Sequence, residues 1–443
     1  MLLKKFSSLL CAATLTLAGV ADVFAANNGF DFDQGVDARE IVIRSRKALS
    51  DSPSVEIAGK KIATQDLEDS IERRIVVFQK GTSRSRRLSA VRNTGGIPTK
   101  DLWLINAVAV IVPSFQAASV DRSLASLSDV KRVEKDFVQN WLVNVAAPAA
   151  PRALPQLPAM PFAPKEGETD EDLGQKVPWG IKRVNAKGAW DTTRGAGVKV
   201  AVIDTGIDFE HEDLQVAGGY NAIDNAVSYK DDNGHGTHVA GTIAGQDDSK
   251  GVVGVAPDAT LYGVKVLSAR GSGTFEGVID GIQWAVKNKM DVANMSLGAS
   301  QGTAALGEAI HAARMAGTII VAAAGNSGGS VGYPAAYPGA IAVAASNSRD
   351  QVAYFSSRGP EVDVIAPGVS VESTYMGGGY RSLSGTSMAC PHVAGLAALA
   401  VAGGTTGFDA VKAALIGAAT KLEGDIPAEQ QGAGLPDAAK LVN

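Results

Sequence analysis

Short apolar runs alternate with helical patterns through the second half of the chain, and this alternation limits the folds available to it. Strand-like runs cover 198–203, 262–267, 292–295, 319–323 and 340–344, and helical patterns cover 275–286, 303–315 and 411–419. Such alternation is typical of a mainly parallel α/β sheet with helices on both faces. The carboxyl ends of the strands then lie along one edge, where such proteins carry their functional residues.

The stretch 71–142 has another pattern and predicts a small α+β domain ahead of the larger one. It contains apolar runs typical of strands at 75–78, 107–112 and 130–138, and a helical pattern at 120–127. At 443 residues the chain is long enough for two or three domains. The formal charge is −5 and polybasic tracts are missing from the sequence, so we expect no nucleic-acid partner.

Residues 1–25 fit a secretory signal peptide. Two lysines precede an apolar run over 9–20, and small residues suit cleavage after Ala25. The run is too short to cross a membrane and no later run reaches membrane-spanning length, so we expect a secreted protein with no membrane anchor. A lipoprotein signal at Cys11 is the alternative, but Leu10 is too large for the residue before such a cysteine.

Two further segments carry no predicted chemistry. Residues 26–70 form an N-terminal region of unclear structure, whose pattern allows one amphipathic helix at 38–49. Residues 143–173 are rich in Pro and Ala and then acidic, which is typical of an extended linker. With the signal removed, Cys390 is the only cysteine left, which excludes an internal disulfide.

A serine stands where a glycine turn becomes a helix, in the stretch Gly385-Thr386-Ser387. The apolar pattern after it continues the helix, so the first-turn N–H groups and the positive end of the helix dipole face Ser387. An oxyanion could be stabilised there. Taken alone, however, the stretch is more typical of an ordinary serine N-cap.

Two upstream segments carry residues that acyl transfer needs: Asp204-Thr205-Gly206 ends an apolar run, and the octapeptide from His235 to Thr242 opens a helical pattern. Together with Gly385 to Ala389, they resemble the three signature motifs of the subtilisin-like serine proteases, in the chain order Asp, His, Ser. The similarity runs from about residue 175 to the C-terminus. It implies a three-layer α/β fold over 174–443 and a secreted serine endopeptidase.

The resemblance assigns four catalytic roles. Ser387 is the nucleophile, His235 its general base, Asp204 the orienting carboxylate, and the Asn326 amide a donor to the oxyanion. His238, and likewise His211, His311 and His392, are expected to be structural. Cys390, beyond Ser387 on the same helix, has no dedicated base in its motif, so we expect an inert buried thiol.

The resemblance also implies where substrate binds. Two extended segments bracket the substrate backbone, and small residues leave room for a large apolar side chain just before the cut. The bracketing residues are Gly271, Ser272 and Gly273 with Ser296, Leu297 and Gly298, and the pocket walls are Ala323, Ala324, Gly325 and Gly332. Main-chain bracketing implies broad specificity for protein and peptide substrates.

The order of elements in 71–142 is similar to the ferredoxin-like βαββαβ inhibitor-chaperone that precedes such catalytic domains. This implies a self-processing zymogen whose own pro-domain is its folding partner and inhibitor, acting as a monomer. Leu142 is a candidate first cleavage position. A separate ferredoxin-like binding domain is the alternative for this stretch.

A structural Ca²⁺ is the last implication of the resemblance. Oxygen ligands from a carboxamide, two carboxylates and main-chain carbonyls suit this hard cation. The residues that align with the family's tight calcium site are Gln175, Asp213, Gln246, Asp248, Lys250 and Val252.

Two other functions compete with this one. An α/β-hydrolase esterase needs an acidic residue and then a histidine after the nucleophile, whereas here His392 precedes Asp409. A catalytically silent secreted binding protein on a protease scaffold is the alternative from another class.

Overall fold

The computed structural model describes residues 71–142 and 174–442, together with the backbone of two short strands at 54–57 and 60–63. The chain divides into two compact units, Met1–Phe137 and Val138–Asn443. The predicted signal peptide, the helix predicted at 38–49 and the predicted linker lie outside the described residues. In the parts that are described, no helix is both long and apolar enough to cross a membrane.

The first unit contains a four-stranded antiparallel sheet, in the spatial order β4-β5-β3-β6, and a separate β1–β2 hairpin. Its elements are β1 (Ser54–Ile57), β2 (Lys60–Ala63), β3 (Ile71–Phe78), α1 (Arg84–Asn93), β4 (Ile97–Leu102), a 3₁₀ turn (Trp103–Ile105), β5 (Ala107–Pro113), α2 (Ala117–Ala125) and β6 (Val130–Asp136).

An apolar core holds the described part of this unit, residues 71–136, together. It joins alternate residues of β3 and β5 to both helices, through side chains such as Phe78, Val110, Val91 and Leu124. The order β3-α1-β4-β5-α2-β6 is the βαββαβ order that the sequence suggested. Helix α1 had no clear sequence signal because arginines interrupt its apolar pattern, although Ser83 caps its N-terminus.

The second unit is built on a seven-stranded parallel sheet in the order β15-β14-β13-β12-β8-β10-β9. Helices α5 and α8 pack against each other beside the sheet, and α6 packs against α7. The elements up to the middle of the unit are β7 (Val138–Asn140), α3 (Trp179–Arg183), α4 (Lys187–Trp190), β8 (Lys199–Asp204), β9 (Val216–Asn221), α5 (His235–Ala244), β10 (Thr260–Lys265), β11 (Ser272–Thr274), α6 (Phe275–Lys287) and β12 (Val292–Met295).

The remaining elements complete the sheet and add two small antiparallel pairs, β16–β17 and β18–β19. They are α7 (Ala304–Met315), β13 (Ile319–Ala323), β14 (Ala340–Ser346), β15 (Val362–Pro367), β16 (Val371–Tyr375), β17 (Gly379–Leu383), α8 (Thr386–Ala402), α9 (Phe408–Gly417), β18 (Ala419–Thr420), α10 (Ala428–Gln431), β19 (Leu435–Pro436) and α11 (Ala438–Leu441). The predicted α/β class with a parallel central sheet is confirmed.

One predicted strand is wrong in its extent. The strand expected over 130–138 ends at Asp136, and Val138 begins the new strand β7. This strand pairs antiparallel with β11 of the second unit. The break lies at Phe137, where the chain passes from one set of main-chain partners to another.

Candidate active site

Three elements bring the candidate catalytic residues to one edge of the parallel sheet. Asp204 is the last residue of β8, His235 is the first residue of α5, and Ser387 is the second residue of α8. Asp204 ends a buried apolar strand, whereas His235 and Ser387 lie at the starts of buried helices, so each polar residue lies at the end of a buried element.

Asp204 and His235 are joined by a hydrogen bond of 2.8 Å between Oδ1 and Nδ1. The same oxygen accepts the Thr205 N–H at 2.7 Å, and the Asp204 side chain is 0% exposed. A carboxylate fixed in this way sets the orientation of the imidazole ring and stabilises its protonated form.

The pKa of His235 is raised above its ordinary value. Burial alone lowers this pKa, but the negative charge of Asp204, its hydrogen bond and the charge of Asp231 together outweigh burial. The imidazole therefore holds a proton to higher pH than a free histidine, which suits a group that must accept one during reaction.

Asp231 is a supporting residue that the sequence analysis missed. Its carboxylate is buried and accepts hydrogen bonds from the Thr205 hydroxyl at 2.8 Å and from the Thr237 hydroxyl at 2.6 Å. It also accepts the backbone N–H groups of Asn233, Gly234 and Thr237 at 2.9–3.0 Å. Asp231 thus ties the end of β8 to the start of α5. Its position four residues before His235 was the sequence signal that could have pointed to it.

The glycine after His235 permits a close approach of these two elements. A Cβ atom at Gly236 would overlap the carbonyl oxygen of Gly206. The Gly236 N–H instead donates to the Thr205 hydroxyl at 2.9 Å. Any larger residue at this position would push α5 away from Asp204.

Helix α8 is anchored at its start by Ser296. The Ser296 hydroxyl donates to the carbonyl of Ser387 at 2.8 Å, and the Ser387 hydroxyl donates to the carbonyl of Ser296 at 3.1 Å. Pro391 lies inside this helix, in its second turn. Because proline has no N–H, Ser296 supplies the donor that the Ser387 carbonyl lacks within the helix.

Asn326 lies beside this helix start in a fixed orientation. Its Oδ1 accepts both the N–H and the hydroxyl of Thr386, each at 2.8 Å. The Nδ2 group is therefore the donor end of the amide. Asn326 and Ser387 line the same two cavities, so their donors face a shared space.

The other histidines and Cys390 are held as structural groups. His238 Nε2 bonds the carbonyls of Val371 and Arg381, and burial, aided by the nearby His235, lowers its pKa to about 3. His392 Nδ1 bonds the Met388 carbonyl, and burial lowers its pKa to about 4. The Cys390 thiol is fully buried, which raises its pKa far above the usual range.

The two remaining histidines also lie away from Ser387. His211 bonds the Gly379 carbonyl through Nε2 and the Asp213 N–H through Nδ1. His311 is exposed on α7. His211 therefore has structural contacts, whereas the structural role expected of His311 stays a prediction.

The two predicted bracketing segments hold residues of the chain itself. Strand β11, with Ser272 and Gly273, pairs with β7, and the Trp141 N–H donates to the Gly271 carbonyl at 2.9 Å. On the other side, the Gly298 N–H donates to the Trp141 carbonyl at 3.0 Å. Residues 138–141 are therefore bound through main-chain atoms as an extended segment between the two.

Side chains anchor this segment as well. Trp141 is 1% exposed, its ring centroid lies 5.0 Å from that of Phe275, and its Nε1 donates to the Gly273 carbonyl at 3.0 Å. The Leu142 side chain lies over Gly271 and lines a cavity with His235 and Ser387.

A second cavity, of about 250 Å³, adjoins Ser387. Its lining includes Leu297, Gly298, Ala323, Gly325 and Gly332, but Leu142 is not part of it. Of the predicted pocket residues, Ala324 lies outside the lining; it is fully buried and donates its N–H to Val343.

The six predicted calcium ligands come together from three segments. The Gln175 amide contacts the Gln246 carbonyl, the Val252 N–H donates to Asp213 Oδ2 at 2.9 Å, and the Lys250 N–H donates to Asp248 Oδ1 at 3.1 Å. This set has only two carboxylates, and within the described residues no group of three or more His, Cys, Asp or Glu is placed to hold a metal ion.

Comparison with known proteins identifies the family. Residues 195–434 match the subtilase family. The chain is 44% identical over 309 residues to the alkaline protease of Alkalihalobacillus alcalophilus, covering 68% of this chain and 81% of that protein. It is 48% identical over 279 residues to subtilisin E of Bacillus subtilis (60% and 72% covered), and 52% identical over 236 residues to the thermostable alkaline protease of Halalkalibacterium halodurans (53% and 65% covered). The chain therefore belongs to the subtilase family and is a subtilisin-like serine endopeptidase.

Proposed function

We propose that the protein is a secreted, self-processing endopeptidase in which Asp204, His235 and Ser387 form the catalytic triad and Asn326 belongs to the oxyanion hole. The observation that carries this proposal is the arrangement around His235. Its Nδ1 is held by Asp204 at 2.8 Å, while the ring lines a 350 Å³ cavity together with Ser387 and Asn326.

In the first step Ser387 Oγ attacks the carbonyl carbon of the peptide and its proton passes to His235 Nε2. The Ser387 hydroxyl must first turn from the Ser296 carbonyl toward the imidazole, a rotation about one side-chain bond. Asp204 stabilises the imidazolium that results. His235 then protonates the leaving amine, and water repeats the sequence to release the acyl group.

The oxyanion formed in this step needs donors that are already in place. Asn326 Nδ2 and the Ser387 N–H at the start of α8 can provide them, since the Thr386 bonds keep Asn326 from turning its oxygen toward the oxyanion. Loss of one such side-chain donor lowers the rate roughly 10²–10³-fold, a figure that comes from a subtilisin.

Hydrolysis of a protein substrate by purified Ser387→Ala and His235→Ala tests this proposal. Both variants should lose hydrolysis and leave the precursor uncut, because only residual catalysis from the oxyanion donors would remain. His311→Ala, which changes an exposed histidine on α7, is the matched control and should process normally. Normal maturation of Ser387→Ala in the absence of other proteases would overturn the proposal.

We propose a preference for large apolar side chains before the cut. The cavity of about 250 Å³ beside Ser387 has small residues in its wall, including Ala323, Gly325 and Gly332, and apolar ones such as Leu297, and its volume suits a large apolar side chain. Main-chain bracketing by β11 and by 296–298 adds affinity that does not depend on substrate side chains.

Residues 71–142 are proposed to act as the pro-domain, both chaperone and inhibitor, of the same chain. In support, the segment 138–141 is held between β11 and Gly298 as an extended peptide. A segment that fills this cleft excludes other peptides until it is cut and released. Leu142 stays a candidate first cleavage position, since it lines the cavity that contains His235 and Ser387.

A structural calcium ion is proposed at the site of Gln175, Asp213, Gln246, Asp248, Lys250 and Val252. The Asp213 carboxylate is 2% exposed, and its Oδ1 has no hydrogen-bond partner in the described parts of the chain. Burial and the nearby charge of Asp248 raise the pKa of Asp213 to about 7. A buried carboxylate of this kind fits a cation, and carboxylate, amide and carbonyl oxygens fit calcium.

Bound calcium would supply a cross-link without a disulfide. The residues that would hold it belong to the start of the catalytic unit and to two distant loops, so unfolding of any one segment would release the ion. Secretion and a monomeric state complete the proposal; the support for secretion is the sequence pattern of residues 1–25.

A further inference from the structure

The cavity that contains His235 and Ser387 is also lined by two positively charged side chains, those of Arg270 and Arg381. Arg270 and Arg381 are both exposed, and among the described residues that line this cavity there is no Asp or Glu. This is a local excess of positive charge in a region, 174–443, that carries 19 basic and 25 acidic residues.

Arg381 is held in place on β17. Its guanidinium lies 5.0 Å from the ring centroid of Tyr375, and its main-chain carbonyl bonds His238 Nε2 at 3.0 Å. The Tyr375 hydroxyl in turn donates to the Asn233 carbonyl at 2.9 Å. Stacking on a tethered ring limits where the Arg381 charge can move.

Arg270 lies in a tight turn before β11. The Gly271 N–H donates to the Ser268 carbonyl at 2.8 Å, and Asn233 Nδ2 donates to the Ala269 carbonyl at 2.8 Å. The next residue, Gly271, contacts the Leu142 side chain, so a peptide bound along β11 runs past this turn.

Asn233 connects both arginine-bearing segments to the catalytic histidine. Its side chain bonds the Arg270 turn, its carbonyl bonds Tyr375, and its Oδ1 accepts the His235 N–H at 3.2 Å. The backbone positions of Arg270 and Arg381 are therefore fixed relative to His235.

Nearby carboxylates are already engaged. Asp232 pairs with the buried Lys265 ammonium at 2.6 Å, and Asp231 is buried among five donors. Asp204 is fully buried behind His235. The charge that a bound peptide meets in this cavity is therefore positive.

We propose that Arg270 and Arg381 are specificity-determining residues that favour substrates with acidic side chains next to the scissile bond and disfavour basic ones. This inference rests on the proposed endopeptidase function of the same site. It adds a charge preference to the apolar preference of the neighbouring 250 Å³ cavity. In a cleft with low-dielectric walls such charges act more strongly than on an open surface, and salt weakens them.

Quenched fluorescent peptides with one common apolar residue before the cut test the proposal. Glu, Gln or Lys is placed in turn at the residue that precedes this apolar residue and at each of the first two residues after the cut, and kcat/KM is measured. At low salt, for at least one position, kcat/KM for the Glu peptide should exceed that for the Lys peptide by about 10-fold, with the Gln peptide between them. This ratio should fall in 0.5 M NaCl.

Arg270→Gln and Arg381→Gln should each lower the Glu-to-Lys ratio, and the double variant should bring it close to one. Arg349→Gln is the matched control, since it removes one exposed arginine that does not line the cavity. This control should keep the wild-type ratio and the wild-type rate on the Gln peptide.

Two outcomes would overturn the inference while leaving the proposed function intact. One is cleavage of all peptides by the wild type with equal kcat/KM for Glu and Lys; the other is a ratio unchanged in the double variant. Failure of the proposed function looks different, since then no peptide is cleaved and a serine-directed inhibitor does not label the protein.

Discussion

Ser296 and Ser387 exchange two hydrogen bonds across the candidate active site, each hydroxyl donating to the other residue's carbonyl, at 2.8 and 3.1 Å. The first bond replaces the one that Pro391 cannot make within α8. The second holds the Ser387 hydroxyl in a resting position. Ser296 thus belongs both to a substrate-bracketing segment and to the support of the nucleophile.

Ser296→Ala should therefore lower both stability and activity. A buried carbonyl left without its donor costs about 1–3 kcal/mol, so we expect a fall of that size in the free energy of unfolding. Denaturant titration and kcat/KM on one peptide measure the two effects. Ser382→Ala, at an exposed position on β17, is the control. Wild-type stability in Ser296→Ala would show that the Ser387 carbonyl finds another donor.

Asp231→Asn should shift the pH profile of kcat/KM. The raised pKa of His235 predicts activity that increases with pH to a half-maximum above the ordinary histidine value of about 6.5. Removing the Asp231 charge takes away one cause of that rise, so the half-maximum should move to lower pH. Asp425→Asn, an exposed acid, should leave the profile unchanged.

This experiment separates electrostatics from structure. Asn cannot accept all the hydrogen bonds that Asp231 accepts, so the variant should also lose stability. A loss of stability with an unchanged pH midpoint would mean that Asp231 only holds the loop.

Trp141→Ala should weaken inhibition by residues 71–142. The indole is buried against Phe275 and bonds the Gly273 carbonyl, so its loss should raise the inhibition constant roughly 30-fold or more. Val138→Ala, which alters a side chain that is 47% exposed on the same segment, is the control and should inhibit like the wild type.

Charge should add to this inhibition. Residues 71–142 carry 12 basic and 6 acidic residues, whereas 174–443 carry 19 and 25, so the two have opposite net charges. Association should then be slower at high salt. If 71–142 does not inhibit the mature enzyme at any salt concentration, the pro-domain assignment is wrong.

Calcium removal should lower the melting temperature and speed self-digestion. An ion bound only to the folded form stabilises it by about 4 kcal/mol at a thousandfold excess over Kd, comparable with a disulfide. Asp213→Ala and Asp248→Ala should reproduce this effect without rescue by calcium, whereas Asp425→Ala should respond to calcium normally. An unchanged melting temperature and autolysis rate after long chelation would refute the site.

The fold was largely predictable because its buried strands are continuous apolar runs. Strands β12 and β13 match the predicted ranges 292–295 and 319–323 residue for residue. The β16–β17 hairpin was not predicted, since β17 is mostly exposed and the strands are separated by Met376 and two glycines. Its contacts with α5 are long-range and leave no local pattern.

The candidate site was predictable only where motifs carry it. Asp204, His235 and Ser387 lie in short signature stretches, and the structure brings them to one edge of the sheet. Asp231 and Trp141 lie outside those stretches, and their importance depends on partners distant in the chain, such as Thr205 and Phe275. The positive charge of Arg270 in the cavity lining was not predictable for the same reason, since it depends on residues that are distant in the chain.

Labelling with a serine-directed covalent inhibitor tests the central claim most directly. Peptide mass spectrometry of the mature protein should find one adduct per chain, on Ser387, with activity lost in proportion to labelling. His235→Ala should label far more slowly, because Ser387 then lacks its base. An unlabelled wild-type protein, or an adduct at another residue that accounts for the lost activity, would contradict the assignment of Ser387 as the nucleophile.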